Sequence, residues 1–284
     1  MVKWLIHDRM LINTSYKNLE EIILACGYDC YTIKDPSLSD DLYDLPKHGA
    51  IIPYATIELM RRLPKNYIGR FMDEKRLQYH VYTSLMDVPL SDYLNYDARL
   101  ATWRQLKEHK SYWFQEFNSS TPPAFQDIFI RPDSGIKTFT GFVANVSSIE
   151  FDINHLNQKI DNDSLVWISS RKSFIDEARF VIVEDKVIDG SRYATDSGNT
   201  LIEDKNFPAE YWDLVNKVAQ SIWKPESVFT VDICMSSRGP RIVECNSFNC
   251  CGLYACDMEK VVKAVSEHVQ KLYEDEQDAK YDDY

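Results

Sequence analysis

The chain has 284 residues, 44% hydrophobic and 13% aromatic. That composition excludes a disordered protein, and the length allows one enzyme-sized unit or two to three packed subdomains. Its 32 Lys+Arg against 44 Asp+Glu leave a formal charge of −12, which disfavours a nucleic-acid partner and an anionic membrane surface. No apolar run approaches the ~20 residues of a membrane span, and no signal-peptide pattern opens the chain. Seven cysteines without a disulfide framework fit reduced thiols in a cytoplasm. Cys26 with Cys30, and Cys250 with Cys251, read as buried packing residues more readily than as metal ligands.

The chain opens as strand, helix, strand. VKWLI (2–6) is an apolar run, and Ser15 is placed to cap a helix whose Leu19, Ile22, Ile23 and Cys26 share one face. Gly27 ends that helix and YDCYTI (28–33) follows as a strand. GAIIP (49–53) reads as a third short strand, before a helix over Thr56–Arg62 stopped by Pro64. Residues 1–65 therefore predict a small open α/β domain, with no GxGxxG and so no dinucleotide signal. Residues 66–125 read as a connector, largely helical and aromatic, with a helix over Asp97–His109. From 126 to 273 strands lead: DIFIRP (127–132), a Gly-containing loop DSGIKTFTG (133–141), FVANV (142–146) and LVWIS (165–169). ARFVIVED (178–185) turns tightly into KVIDGSRYA (186–194). A helix over Pro208–Trp223 precedes SVFTVDICM (227–235) and PRIVECN (240–246), and a packing helix starts at Asp257. The acidic end, 274–284, predicts a solvated, frayed tail.

Glu244 and Asn246 stand two apart on a strand, so both point to one face. A three-residue loop, Ser237-Arg238-Gly239, pairs Ser236 with Pro240 and counts Asp232 across from Glu244. Opposed Cβ atoms lie about 5 Å apart, and two carboxylates at that distance repel unless a cation or proton sits between them. Asp232, Glu244 and Asn246 are hard oxygen donors that suit Mg²⁺. Cationic partners for a nucleotide also lie on strands. Arg131 ends DIFIRP, Lys137 sits in the loop, Glu177 and Arg179 form another same-face pair, and Arg192 lies in GSRY.

In their order along the chain, these residues resemble the ATP-grasp superfamily over about 126–257, with a weaker match of 1–65 to its preceding domain. FIRPDSGIKTFTG, LVWIS, Glu177-Ala178-Arg179, GSRY, Asp232 and ECNSFNCCGLYACD carry the likeness. They are most similar to the bacterial and phage clade in which arginine replaces the usual phosphate-binding lysine, which would make the cytoplasm that of a host if the chain is phage-encoded. The resemblance implies an ATP-grasp fold, two α+β subdomains clasping ATP, preceded by the small α/β domain. It implies adenine against the hinge backbone at Trp167, Ile168 and Ser169, phosphates at Arg131 and Lys137 with Glu177 among the cofactor contacts, and Mg²⁺ on Asp232, Glu244 and Asn246.

The activity implied is ATP-dependent carboxylate–amine ligation through an acyl phosphate, with Arg179 and Arg192 as the catalytic pair. The acceptor would be a small molecule, peptide or protein end carrying a carboxylate or amine. The alternative is an ATP-binding assembly or interaction factor that uses the same fold without ligation.

Overall fold

The computed structural model describes residues 1–12, 18–34, 45, 48–122, 125–156, 160–195 and 200–282. Three β-sheets organise them. The first is the predicted open α/β unit: β1 (Lys3–His7), α1 (Leu19–Ala25), β2 (Asp29–Ile33), β3 (Ile51–Tyr54) and α2 (Ile57–Arg62). Its strands are parallel in the order β2-β1-β3. Gly27, at φ +86°, ends α1 as its type and position require. Ser15, the expected cap, lies outside the described residues.

The stretch 66–125, expected as a connector, contributes a strand to the second sheet. It supplies α3 (Tyr79–Leu85), β4 (Arg99–Thr102), α4 (Trp103–Glu108) and α5 (Lys110–Asn118). β4 is an edge strand of the second sheet, whose other members are β5 (Asp127–Pro132), β6 (Phe142–Asn145) and β7 (Leu165–Ser170), in the order β4-β7-β5-β6. The expected helix over Asp97–His109 is therefore half strand. The break falls at Thr102, which caps α4 in a reciprocal box with Gln105. With α6 (Ile149–Leu156), α4 and α5 bury the back of this sheet through Trp103, Leu106, Phe114 and Ile153.

The third sheet runs β10-β9-β8-β11-β12. Its strands are β8 (Phe174–Val183), β9 (Lys186–Thr195), β10 (Thr200–Asp204), β11 (Val228–Ser236) and β12 (Gly239–Ser247), with α7 (Glu210–Ala219) between β10 and β11. The back face carries Ala178, Phe180, Ile182, Phe229, Val231, Ile233, Ile242 and Cys245, packed with α7 and the tyrosines 79, 82 and 93. The front face packs its far end (Val181, Val183, Val228) against the first domain and against α8 (Met258–Asp282). α8 continues through the acidic segment where fraying was expected, because Glu, Gln, Lys and Ala sustain a helix already nucleated by a packed face. Among the described residues, no helix is long and apolar enough to cross a membrane.

Candidate functional site

β11 and β12 meet through a tighter turn than the sequence count implied. Ser236 pairs with Gly239, leaving a two-residue loop of Ser237 and Arg238, and Gly239 adopts φ +90°. This register would place Asp232 opposite Val243, but a bulge at Val243 restores the pairing of Asp232 with Glu244. The predicted pair is present because two shifts of one residue cancel. The bulge also separates two residues of the same parity: Ile242 stays in the back core while Glu244 turns to the front. Arg131 donates from Nη1 to the carbonyl of the bulged residue, Val243, at 3.1 Å.

On the front face three cations and the acids interlock. Arg179 donates to Asp232 as a fork, Nε to Oδ1 at 2.7 Å and Nη2 to Oδ2 at 2.8 Å, with both side chains buried. Arg131 Nη2 and Lys137 Nζ donate to Glu244 at 2.9 and 2.7 Å. The Asn246 amide nitrogen bridges Asp232 and Glu244, at 3.2 and 3.1 Å. A second bulge, between Arg192 and Ala194 on β9, aims Tyr193 at this cluster. Its hydroxyl lies 3.3 Å from Asp232 Oδ2, and its ring stacks on Tyr254 at 4.8 Å, with the Arg179 guanidinium 5.3 and 5.4 Å from the two rings. Tyr254 holds φ +50°, uncommon outside glycine. Sequence reasoning missed both tyrosines, although each adjoins a quoted motif residue, Arg192 in GSRY and Leu253 in the ECN segment.

Two carboxylates two strands apart are driven in opposite directions. Burial pushes Glu177 up, the nearby Asp232 adds to it, and its carboxyl reaches about 7. Burial would also raise Glu244, but Lys137 and Arg131 outweigh it and hold that carboxyl at about 2.

A cleft of about 530 Å³ lies between the second and third sheets. Phe129, Arg131 and Val143 line one wall, Glu177, Tyr193 and Glu244 the other, and Arg171, Lys172 and Phe174 the end where the two sheets join. A smaller cavity of about 90 Å³ lies beyond Lys137, Arg179 and Asn246, closed by Ile57, Met72 and Cys250.

Two sequence expectations change here. Trp167, Ile168 and Ser169 do not line the cleft. Trp167 and Ile168 are paired with β4 on one edge and with β5 on the other, while Ser169 is paired with β5. The segment that leads into the cleft is 171–174, where Lys172 is pinned to Asp97 at 2.6 Å. Arg192 is also elsewhere. It pairs with Ala178 and so points to the back face, where it forks onto Asp204 at 3.0 and 2.6 Å. Arg131, Lys137, Glu177, Arg179, Asp232, Glu244 and Asn246 are brought together.

The donor set fits Mg²⁺. Among the described residues no three histidine, cysteine or acidic side chains group as a metal site, and here the third donor is an amide. Asp232, Glu244 and Asn246 converge within hydrogen-bonding distance, and each side chain carries an oxygen. With its nitrogen toward both acids, Asn246 would have to turn its amide over to present oxygen.

The fold and this cleft define the class. A D-cycloserine synthetase, DcsG, superposes with a TM-score of 0.60 at 11% identity, over 95% of this chain and 100% of that one. An ATP-grasp RimK domain protein from Sphaerobacter thermophilus gives 0.58 at 12%, over 95% and 100%. The D-alanine–D-alanine ligase of Bacillus anthracis complexed with ATP gives 0.53 at 14%, over 97% and 99%. The architecture is the ATP-grasp fold. No curated protein sequence matches the chain. A family described as an ATP-grasp domain, the second family of its clade, matches residues 108–264, more than half of the chain, and the chain belongs to that family. ATP with Mg²⁺ is the cofactor pair of such proteins.

Proposed function

We propose that the protein is an ATP-dependent carboxylate–amine ligase that works through an acyl phosphate. The observation that carries this is the placing of Arg131, Lys137 and Arg179 with Asp232, Glu244 and Asn246 at the partition between a nucleotide-sized cleft and a smaller second cavity. Structural likeness to ligases supports the reading at the level of fold.

In this reading the base lies toward 171–174, and Arg131 and Lys137 leave Glu244 for the phosphate oxygens. Asp232, Glu244 and Asn246 would hold Mg²⁺, which supplies charge neutralisation for phosphoryl transfer. A substrate carboxylate in the smaller cavity attacks the γ-phosphorus and ADP leaves. The amine then attacks the acyl carbon, phosphate departs with the C–O bond pair, and the surplus proton goes to solvent. Arg179 stands where charge gathers on the acyl phosphate and then on the tetrahedral oxygen, held in line by its fork to Asp232 and the stacked tyrosines. Arg192 has no part in this scheme.

The test is an ADP-release assay over a panel of carboxylates, amino acids and peptides, run beside a Mg²⁺–ATP titration. ADP formation that needs both an acceptor carboxylate and an amine is expected. Tight Mg²⁺–ATP binding without ADP release for any acceptor would replace the ligase with the binding-factor reading.

A further inference from the structure

The guanidinium of Arg131 lies over the ring of Tyr79, 4.5 Å from its centre. Its forked end is occupied by the Val243 carbonyl and Glu244, so the ring fixes the plane in which the fork is presented. Tyr79 is itself immobilised. Its ring meets Trp167 edge-on at 5.1 Å, Tyr82 at 5.3 Å and Tyr93 at 6.2 Å, and its residue exposure is 1%. Its hydroxyl has no hydrogen-bond partner among the described residues, so the ring face makes the useful contact.

The platform is also tied to the loop that carries Lys137. Asp133, the first residue of that loop, accepts from the Tyr79 backbone through its carbonyl at 2.9 Å. Its carboxylate accepts from the His80 backbone at 2.9 Å and from Trp167 Nε1 at 2.7 Å, and contacts His80 Nδ1 at 2.7 Å. Ring, arginine and loop base therefore share one buried anchor.

We infer that Tyr79 is the positioning residue of Arg131, and that its ring face is the feature that selects a guanidinium over an ammonium at this position. A planar, weakly hydrated guanidinium stacks on an aromatic face while its fork stays free for an oxyanion. A lysine ammonium is a point charge that must give up one contact to make the other. This rests on the reading of Arg131 as a phosphate contact.

The experiment keeps the shape of the site and changes only the ring's charge distribution. Tyr79→Phe serves as the reference, and mono-, di- and trifluorinated phenylalanines at the same position follow in the full-length protein. Affinity for the Mg²⁺ complex of β,γ-imido-ATP is read by calorimetry. Affinity should fall stepwise with each fluorine, to about tenfold for the trifluorinated ring, at an unchanged unfolding temperature. Arg131→Lys should weaken binding about tenfold on the unfluorinated ring and less than about twofold on the trifluorinated one, since arginine has little stacking left there to lose. A flat fluorine series alongside an Arg131→Ala protein that has lost affinity would overturn the platform and leave the phosphate contact standing. Unchanged affinity in Arg131→Ala would overturn both.

Discussion

One sheet carries the same arginine–aspartate fork on each of its faces, and the two differ in what surrounds them. On the front, Arg179 and Asp232 are almost sealed from solvent, at 8% and 1% side-chain exposure, beneath Tyr193 and Tyr254 and beside Glu177, Glu244 and Asn246. On the back, Arg192 and Asp204 stand at 15% and 35%, at the edge strand β10. The fork geometry is equivalent, with N–O distances of 2.7 and 2.8 Å against 3.0 and 2.6 Å. What differs is water. A buried fork needs further partners to offset its desolvation, so it draws a network around itself, while a more exposed one is partly screened by water and needs fewer. The network gives the front face its chemistry.

The largest effect should come from cutting the buried fork. Arg179→Ala strands the Asp232 carboxylate among other acids, and should cost about 3–5 kcal/mol of stability by denaturant titration. Arg179→Lys keeps the charge but loses the fork; turnover should fall roughly 100-fold or more, the scale of losing one oxyanion donor, with ATP affinity changed far less. Parallel losses of affinity and rate would make Arg179 an ordinary nucleotide contact.

Next is the metal. Glu244→Gln removes one charged ligand and releases Lys137 and Arg131 from their only shared carboxylate among the described contacts. ADP formation should disappear at Mg²⁺ concentrations that saturate the wild type, while the folded state persists in circular dichroism. Full activity at those concentrations would remove the metal assignment.

Smaller again is a pH effect at Glu177. Its folded carboxyl, at about 7, lies above its ordinary 4.5, so protonation favours the fold. Its contribution to stability is complete below about pH 4.5 and is lost as pH rises through 7. Glu177→Gln should therefore match wild type near pH 4.5 and exceed it at pH 8 by on the order of 2 kcal/mol in metal-free buffer. Mg²⁺ should shrink that gap. A gap that is constant with pH would mean the carboxyl is not raised.

The smallest effect closes the comparison. Arg192→Ala should cost no more than about 1 kcal/mol and leave ATP affinity and ADP release unchanged. A large loss of turnover would return Arg192 to the reaction.

Much of this was legible along the chain because it rests on local patterns. Apolar runs marked β1, β2, β5, β7, β11 and β12, Gly27 marked a helix end, and the i, i+2 spacing put Glu244 with Asn246 and Glu177 with Arg179 on shared faces. Those rules follow from backbone geometry and hold wherever the strand lies. The order of basic and acidic residues along the chain also sufficed to indicate the family. Tertiary structure decided whatever depended on a neighbouring strand. The bulge at Val243 set the face of Glu244, the bulge beside Arg192 turned Tyr193 forward and left Arg192 behind, and pairing on both edges enclosed Trp167 and Ile168 within the second sheet. A bulge inserts one residue without a mark in composition, and one residue reverses every face beyond it. The stretch 66–125 was opaque for a related reason. Its four-residue β4 has no periodicity to read, and Tyr79 acquires its role only when the chain returns, 52 positions later, to lay Arg131 on its ring.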